Sequence, residues 1–229
     1  MLKDSHGTPY PLTVEASLDP RLTRWMWLVK WLLAIPHYVV LAFLWVGFFV
    51  VTVIAFFAIL FTGRYPRPLF DFNLGVLRWS ARVHYYALTV AGTDRYPPFT
   101  LEDVPDYPFH LDLPHPDRLS RGLVLVKWWL LAIPHYVLVD LFVGSGWYGS
   151  GDEWNEAHYG FSLVGALTLI AVVALLFTAV YPRRLYDFLM GLVRWILRVA
   201  VYASLMTDRY PPFALDQGGE EPAAPAPGA

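Results

Sequence analysis

The chain of 229 residues contains no cysteine. Disulfide bridges, thiolate metal sites and cysteine nucleophiles are therefore excluded. Charge is also scarce, because Asp, Glu, Lys and Arg together make up 16% of the residues, against about 25% in soluble domains. Hydrophobic residues make up 56%, and the net charge is −2. This composition predicts a membrane protein surrounded by lipids, and the net charge argues against a general nucleic-acid binder.

The chain contains a tandem repeat, which decides how the rest of the sequence is interpreted. Residues 30–38 read KWLLAIPHY, residues 127–136 read KWWLLAIPHY, and TDRYPPF closes both copies at 93–99 and 207–213. We place the first repeat unit at 10–101 and the second at 107–215. The tail at 216–229 consists largely of Gly, Glu, Pro and Ala, which predicts disorder. The shared motif residues are Lys30, Pro36, His37, Asp94 and Arg95 in the first copy and Lys127, Pro134, His135, Asp208 and Arg209 in the second.

Each copy opens with a short segment in which apolar residues alternate with other residues. The alternating positions are Leu12, Val14, Ala16 and Leu18 in the first copy and Phe109, Leu111 and Leu113 in the second. This period of two predicts a short, half-buried strand in each copy.

The apolar run of the first copy extends from Leu28 to Phe61 without a polar break, which is long for one membrane span of about 20 residues. In the second copy, an insert at 144–160 that lacks Lys and Arg separates two apolar runs. By comparison between the copies, we predict a helical hairpin in each, turning near Gly47 in the first. The alternative for the first copy is an interfacial helix, kinked at Pro36, that continues into one long span.

The second copy carries one extra residue, Trp129, between the motif lysine and the motif proline. An α-helix turns about 100° per residue. If both motif residues lie on one helix, Lys127 is therefore predicted to be rotated by about 100° relative to Pro134.

A further helix follows the apolar segment in each copy and begins with a proline in its first turn. Its polar and small residues recur at steps of four, three, four and four, which places them on one narrow stripe. The stripe consists of Asp71, Gly75, Arg78, Arg82 and Tyr86 in the first copy and of Asp187, Gly191, Arg194, Arg198 and Tyr202 in the second.

Arginines flank both apolar segments, at 21, 24, 64 and 67 and at 118, 121, 183 and 184. Because Lys and Arg concentrate on the cytoplasmic side of spans, both hairpins are predicted to enter from and return to the cytoplasm, with both termini there. The striped helices are then predicted to be amphipathic and to lie at the cytoplasmic interface, with their broad apolar side either in lipid or against the spans. The predicted fold is an all-α integral membrane protein of the cell membrane. It is a tandem parallel repeat with about four transmembrane helices, two amphipathic interfacial helices and short extended cytoplasmic segments.

The opening motif from Arg24 to Tyr38, the Arg-Trp-x-x-Arg sequence of the striped helix and the closing TDRYPPF together resemble the bacterial membrane family called domain of unknown function 4389 (DUF 4389). The resemblance covers nearly the whole chain in two tandem units. It implies a bacterial membrane protein and implies no activity.

The motif histidines allow two interpretations. His37 and His135 could meet at a pseudo-twofold axis and ligate a haem or a metal. Alternatively, each marks a helix kink and bonds a backbone carbonyl that the preceding proline leaves free. We favour the kink and predict no cofactor. The motif lysines, Lys30 and Lys127, are predicted to extend to the cytoplasmic interface.

The stripe residues Asp71, Arg78, Arg82, Asp187, Arg194 and Arg198 are the best functional candidates. The arginines could brace the helix against Asp71 or Asp94 and their counterparts, hold lipid phosphates, or line a path across the membrane. No catalytic residue constellation is recognised. The leading hypothesis is a non-enzymatic membrane protein, an accessory or scaffold that binds lipid, a partner membrane protein or a second copy of itself. The alternatives are a small transporter or channel component and an enzyme acting on lipid head groups.

Overall fold

The computed structural model describes residues 10–143, 163–178 and 180–215. The described part is mostly helical, with one small sheet. The insert at 144–160 and the tail at 216–229 lie outside the described residues. The elements are β1 (Thr13–Ala16), α1 (Trp27–Leu33), α2 (Ile35–Thr62), α3 (Arg67–Ala87), β2 (Phe109–Asp112), α4 (Leu123–Val126), a π-helical turn (Lys127–Leu131), α5 (Ile133–Val143), α6 (Leu163–Thr178) and α7 (Arg183–Ala203).

The hairpin predicted near Gly47 is wrong, because α2 continues through this residue as one helix of 28 residues. A single glycine does not interrupt so long an apolar run. Its lack of a side chain instead makes room for α3, since a Cβ at Gly47 would lie 3.2 Å from Cζ of Phe72. The break comes earlier, between Leu33 and Ile35, with Pro36 in the first turn of α2. A kinked helix that continues into one long helix therefore describes the first copy.

Two helices are long and apolar enough to cross a membrane, Ile35–Thr62 and Leu123–Asp140, while Leu163–Thr178 is a shorter apolar helix. At about 1.5 Å per residue, the 28 residues of α2 extend about 42 Å, which exceeds the roughly 30 Å of a bilayer's hydrocarbon core. The four spans that the two predicted hairpins would supply are not found in the described part of the chain.

The extra tryptophan of the second copy lies in the π-helical turn at Lys127–Leu131. A π-helical turn accommodates one residue more than an α-helical turn within the same helix. The predicted rotation of Lys127 is therefore wrong. The surplus residue is absorbed locally, and Lys127 makes the same kinds of contact as Lys30 in the first copy.

The two predicted strands are present, and they pair with each other across the two copies. β1 and β2 are antiparallel, with Val14 opposite Leu111 and Ala16 opposite Phe109. Val14 and Leu111 are each 1% exposed and belong to one hydrophobic core that draws residues from both copies. The sheet is therefore complete only when both copies are present.

The striped helices α3 and α7 lie inside this core. In α3, 13 of the 21 residues are buried. The helix runs antiparallel to α2 and is joined to it by bonds from Trp45 Nε1 to Ser80 Oγ (3.1 Å) and from Asn73 Nδ2 to Thr52 Oγ1 (2.9 Å). Of the two predicted environments for the apolar side of this helix, lipid or the apolar helices, the structure shows the second, because protein covers both that side and most of the stripe.

α2 presents the opposite arrangement, with only a narrow face against protein. Its buried residues are His37, Leu41, Phe48, Ala55 and Ile59, at spacings that follow one side of a helix. The other sides expose large apolar side chains, among them Phe43, Phe49 and Phe61, which are 69–75% exposed.

Candidate functional site

The lysine of each opening motif is buried and paired with the aspartate of the closing motif of the same copy. Lys30 Nζ lies 2.8 Å from Asp94 Oδ1, and Lys127 Nζ lies 2.7 Å from Asp208 Oδ1. Each ammonium also donates to a backbone carbonyl, that of Thr93 at 2.7 Å in the first copy and that of Thr207 at 3.1 Å in the second. The prediction that these lysines extend to the interface is wrong, since their exposures are 2% and 0%.

The second carboxylate oxygen of each aspartate accepts a backbone hydrogen bond from the segment that precedes the opening motif of the same copy. Asp94 Oδ2 accepts from the backbone N–H of Thr23, and Asp208 Oδ2 accepts from that of Ser120, both at 2.5 Å. Burial lowers the pKa of Lys30, while the nearby Asp94 carboxylate acts in the opposite direction. The pair thus ties the beginning of each copy to its end.

Arg78 and Arg194 connect each striped helix to the strand of the other copy. Arg78 Nε donates to the carbonyl of Leu111 at 2.7 Å in β2, and its Nη2 lies 2.8 Å from Asp112 Oδ1. Arg194 Nε donates to the carbonyl of Val14 in β1 at 3.3 Å. These arginines therefore brace the repeats against one another through a strand, and the carboxylate that Arg78 contacts is that of Asp112, where Asp71 or Asp94 was predicted.

Arg82 and Arg198 are each only 1% exposed. Both bond the chain just after their own closing motif: Arg82 donates to the carbonyl of Thr100, and Arg198 Nη1 donates to that of Ala214 at 2.8 Å. Burial lowers the pKa of Arg82. The acidic residues of the stripe take a different place, because Asp71 and Asp187 are exposed.

Asp71 has only a loose contact with an arginine of its own helix, since Asp71 Oδ2 lies 4.0 Å from Arg67 Nε. The structure therefore brings together Arg78, Arg82, Arg194 and Arg198 with backbone carbonyls of strands and closing segments. Among the contacts of the described residues, Arg78 and Arg82 are not brought together with Asp71.

The closing arginines Arg95 and Arg209 contribute their backbone carbonyls to a contact between the copies. Tyr107 at the start of the second copy donates to the carbonyl of Arg95 at 3.3 Å, and Tyr10 at the start of the first donates to that of Arg209 at 3.2 Å. Burial raises the pKa of both tyrosine hydroxyls, so they remain neutral donors. The closing segment of the second copy thus lies beside the opening segment of the first.

Each motif histidine is fully buried within its own copy. His37 stacks on Phe99 with ring centroids 3.9 Å apart, and His135 stacks on Phe213 at 4.2 Å. Nδ1 of His37 accepts from Trp79 Nε1 at 3.0 Å, in place of the expected contact with a freed backbone carbonyl. In the described ranges, no group of three or more His, Cys, Asp or Glu is placed to hold a metal ion.

Sequence reasoning missed a cleft of about 410 Å³ between the two copies. We call it the arginine cleft. It is lined by Thr62, Gly63, Arg64, Arg118, Leu119 and Arg121. A backbone bond from Leu119 N to Gly63 O, 2.9 Å long, holds its two walls together. The three arginines were recognised only as charges flanking apolar segments, and the signal that would unite them, a contact between positions more than fifty residues apart, is not present in a single sequence.

The comparisons with known proteins agree with the two-copy arrangement. The sequence profile of the family described as Domain of unknown function (DUF4389) matches residues 24–100 and 158–214. None of the curated proteins and none of the solved structures matches the chain. The two matched segments together span more than half of the sequence, and the chain belongs to this family.

Proposed function

We propose that the chain is a non-enzymatic integral protein of the cell membrane, an accessory or scaffold that binds lipid or a partner membrane protein. The observation that carries this proposal is that α2 exposes an apolar surface, whereas α3 and α7 use their polar stripe for contacts within the chain. α2 is apolar on all sides and largely uncovered, while the stripe arginines of α3 and α7 make contacts within the chain.

The uncovered surface of α2 supports a lipid environment. Soluble monomers rarely expose contiguous apolar patches of more than a few hundred Å², whereas α2 alone exposes a phenylalanine or other large apolar residue on nearly every turn. Lipid removes the cost of hydrating this surface. We propose a multi-pass arrangement with both termini on the cytoplasmic side, since two spans, an even number, return the chain to the side on which it starts. The arginines at the two ends of α2 do not support this topology, because α2 is one continuous helix.

The stripe arginines favour a structural role over the two alternative functions. Arg82 and Arg198 are buried against backbone carbonyls, which suits bracing better than lining an aqueous path. Asp71 and Asp187, the carboxylates that a lipid head-group enzyme would use, are exposed. They are not buried in a shared pocket with these arginines. A scaffold requires only that the fold hold its outer surface in place.

Two measurements test the proposal. Membranes containing the protein are washed with alkaline carbonate, and the protein is expected to stay in the pellet; its release would contradict integral insertion. The protein is then purified from native membranes in a mild detergent, and bound lipids and proteins are identified by mass spectrometry. We expect a reproducible lipid or protein partner, which includes a second copy of the chain. A solitary protein without lipid would contradict the scaffold function.

A further inference from the structure

Three arginines from two copies of the repeat surround the arginine cleft. Arg64 follows the end of α2, and Arg118 and Arg121 precede α4. α2 ends at Gly63, whose φ of +71° is a left-handed conformation that suits glycine. A Cβ at this position would lie 3.4 Å from Arg121 Nε. Gly63 thus lets the Arg121 side chain lie directly over the end of α2.

The cleft carries positive charge without a matching carboxylate. None of its lining residues is acidic, and in the described part of the chain none of the three arginines forms an ion pair. Asp117 precedes Arg118 in the sequence but does not line the cleft. Elsewhere in the fold, both buried lysines have a carboxylate partner, Lys30 in Asp94 and Lys127 in Asp208.

The end of α2 accounts for only part of this charge. A helix C-terminus carries a partial charge of about −0.5, and one cation near it is favourable. Three guanidinium groups exceed that requirement about sixfold. The C-terminal carbonyls are also partly used within the chain, because Ile59 O accepts from Gly63 N and Ala58 O accepts from Thr62 Oγ1. The surplus charge remains available to an external anion.

The position of the cleft indicates which anion it meets. Phe57 and Phe61, in the last turns of α2, are 52% and 72% exposed, so this end of the helix borders the apolar environment proposed above. The phosphate groups of lipids lie just outside the hydrocarbon core. Guanidinium groups bind phosphate through pairs of parallel N–H bonds. A cleft of about 410 Å³ has room for a phosphate group and its ester substituent.

We propose that the arginine cleft binds the phosphate group of an anionic phosphate ester at the membrane surface. The inference rests on the proposed function, because it assigns the scaffold's lipid contact to this cleft. The same chemistry is offered by a lipid head group and by a soluble phosphate compound. Arg64, Arg118 and Arg121 hold the phosphate oxygens, and the backbone contact between Leu119 and Gly63 fixes the spacing of the arginines.

The repeat supplies a matched control for the test. Arg21 and Arg24 are the sequence counterparts of Arg118 and Arg121, but the counterpart of Arg64 is Val180. We compare R118Q/R121Q with R21Q/R24Q, since both variants lose two charges. Binding of phosphatidylglycerol and of phosphatidylcholine to the full-length protein in a non-ionic detergent is measured by native mass spectrometry, and binding of inorganic phosphate by calorimetry.

We expect R118Q/R121Q to bind phosphatidylglycerol on the order of tenfold more weakly than the unaltered protein, because each basic residue near an anionic lipid contributes substantially. R21Q/R24Q should retain most of the affinity. The Arg64 side chain makes no hydrogen bond in the described residues, and R64Q should bind phosphatidylglycerol about threefold more weakly. This single variant replaces the double variant in the test if R118Q/R121Q does not fold. If inorganic phosphate competes with the lipid at submillimolar concentration, the physiological source is a soluble phosphate compound.

Equal phosphatidylglycerol binding by R118Q/R121Q and the unaltered protein would overturn the inference. So would equal losses in R118Q/R121Q and R21Q/R24Q, since these would indicate a general charge effect. All variants are also washed with alkaline carbonate. A variant that stays in the membrane but retains its lipid contradicts only the cleft, whereas release of the unaltered protein contradicts the proposed function itself.

Discussion

Lys30 and Lys127 show how a charged side chain can be placed deep inside an apolar sequence. Removing an ammonium group from water costs several kcal/mol unless a partner and further acceptors are present. Both lysines have an aspartate and a backbone carbonyl at bonding distance, and Lys30 also lies 5.4 Å from the centre of the Tyr86 ring. The opening and closing motifs recur together because each supplies one half of this pair.

Replacing Lys30 by methionine should therefore destabilise the protein although the shape is nearly conserved. The change leaves Asp94 and the carbonyl of Thr93 without their cation, and we expect a loss of about 3 kcal/mol in the free energy of unfolding. Denaturation in detergent micelles measures it. The double variant K30M/D94L should recover part of the loss, because both partners are then apolar. Equal stability of K30M and the unaltered protein would contradict a structural role for the pair.

A second repeated feature is a left-handed residue after each striped helix. Ala91 has φ of +52° and Leu205 has φ of +68°, a region in which L-residues other than glycine are strained by about 1–2 kcal/mol. The strain places the carbonyl of Ala91 3.4 Å from Lys30 Nζ. The backbone thus adopts an unfavourable conformation at the point where it receives the buried lysine.

Replacing Ala91 by glycine should stabilise the protein by up to about 1 kcal/mol, since glycine adopts this conformation without strain. Ala58 provides the control, because it lies inside α2, where the same substitution should cost about 1 kcal/mol. Thermal unfolding of both variants in the same detergent checks the opposite signs. Destabilisation by A91G comparable to that by A58G would show that the conformation is not strained.

At the scale of the element, the stripe on α3 and α7 is the surface against which other segments of the chain pack. Gly75 and Gly191 are part of it because the chain crosses there at contact distance. A Cβ at Gly75 would lie 2.7 Å from Leu101 Cβ and 2.9 Å from Leu101 O, and one at Gly191 would lie 2.8 and 2.9 Å from the same atoms of Leu215. Arginines one and two turns away bond the strand and the closing segment.

Gly75→Ala should therefore destabilise the protein by about 1–3 kcal/mol, since the backbone of Leu101 must move. Gly47→Ala is the matched control in another helix. There a Cβ meets only the far end of the Phe72 ring, at 3.2 Å, which can yield, and the alanine adds about 1 kcal/mol of helix propensity. The unfolding midpoint of G75A should therefore be lower than that of G47A. A G75A protein as stable as G47A would contradict the close crossing.

The sequence predicted those parts of the elements that depend on local patterns. Alternation identified the strands, and the four-three-four-four spacing identified the stripe. It could not reveal that α2 passes through Gly47, because the second copy suggested a break that the first does not share. It also could not reveal the π-helical turn, since an extra residue such as Trp129 is compatible with either a rotation or a local bulge.

At the scale of the whole molecule, the two copies form one core by exchanging contacts. Each striped helix bonds the strand of the other copy, and each opening tyrosine bonds the closing segment of the other copy. The repeated motifs were recognisable from sequence, but these cross-copy partners were not. Arg78 has acidic residues of its own copy nearby in sequence, and only the folded chain shows that Leu111 and Asp112 lie closer.

Neither half of the chain should therefore fold well alone, whereas both together should assemble without a covalent link. A break after the exposed Glu102 separates residues 1–102 from 103–229 and leaves every element intact. Co-expressed halves should co-purify through a tag on the first, because the sheet, the arginine braces and the shared core all form between them. Each half expressed alone should aggregate or be degraded.

Substitutions on the two faces of β1 test whether the halves associate through the cross-copy sheet. Val14→Asp buries a carboxylate in the shared core, where Val14 is 1% exposed, and should abolish co-purification because an unpaired buried charge costs several kcal/mol. Glu15→Asp alters the neighbouring residue on the opposite, exposed face of β1 and should leave the yield of the complex unchanged. Halves that are separately stable and monodisperse, or that still associate in the V14D variant, would show that the cross-copy sheet is dispensable for assembly.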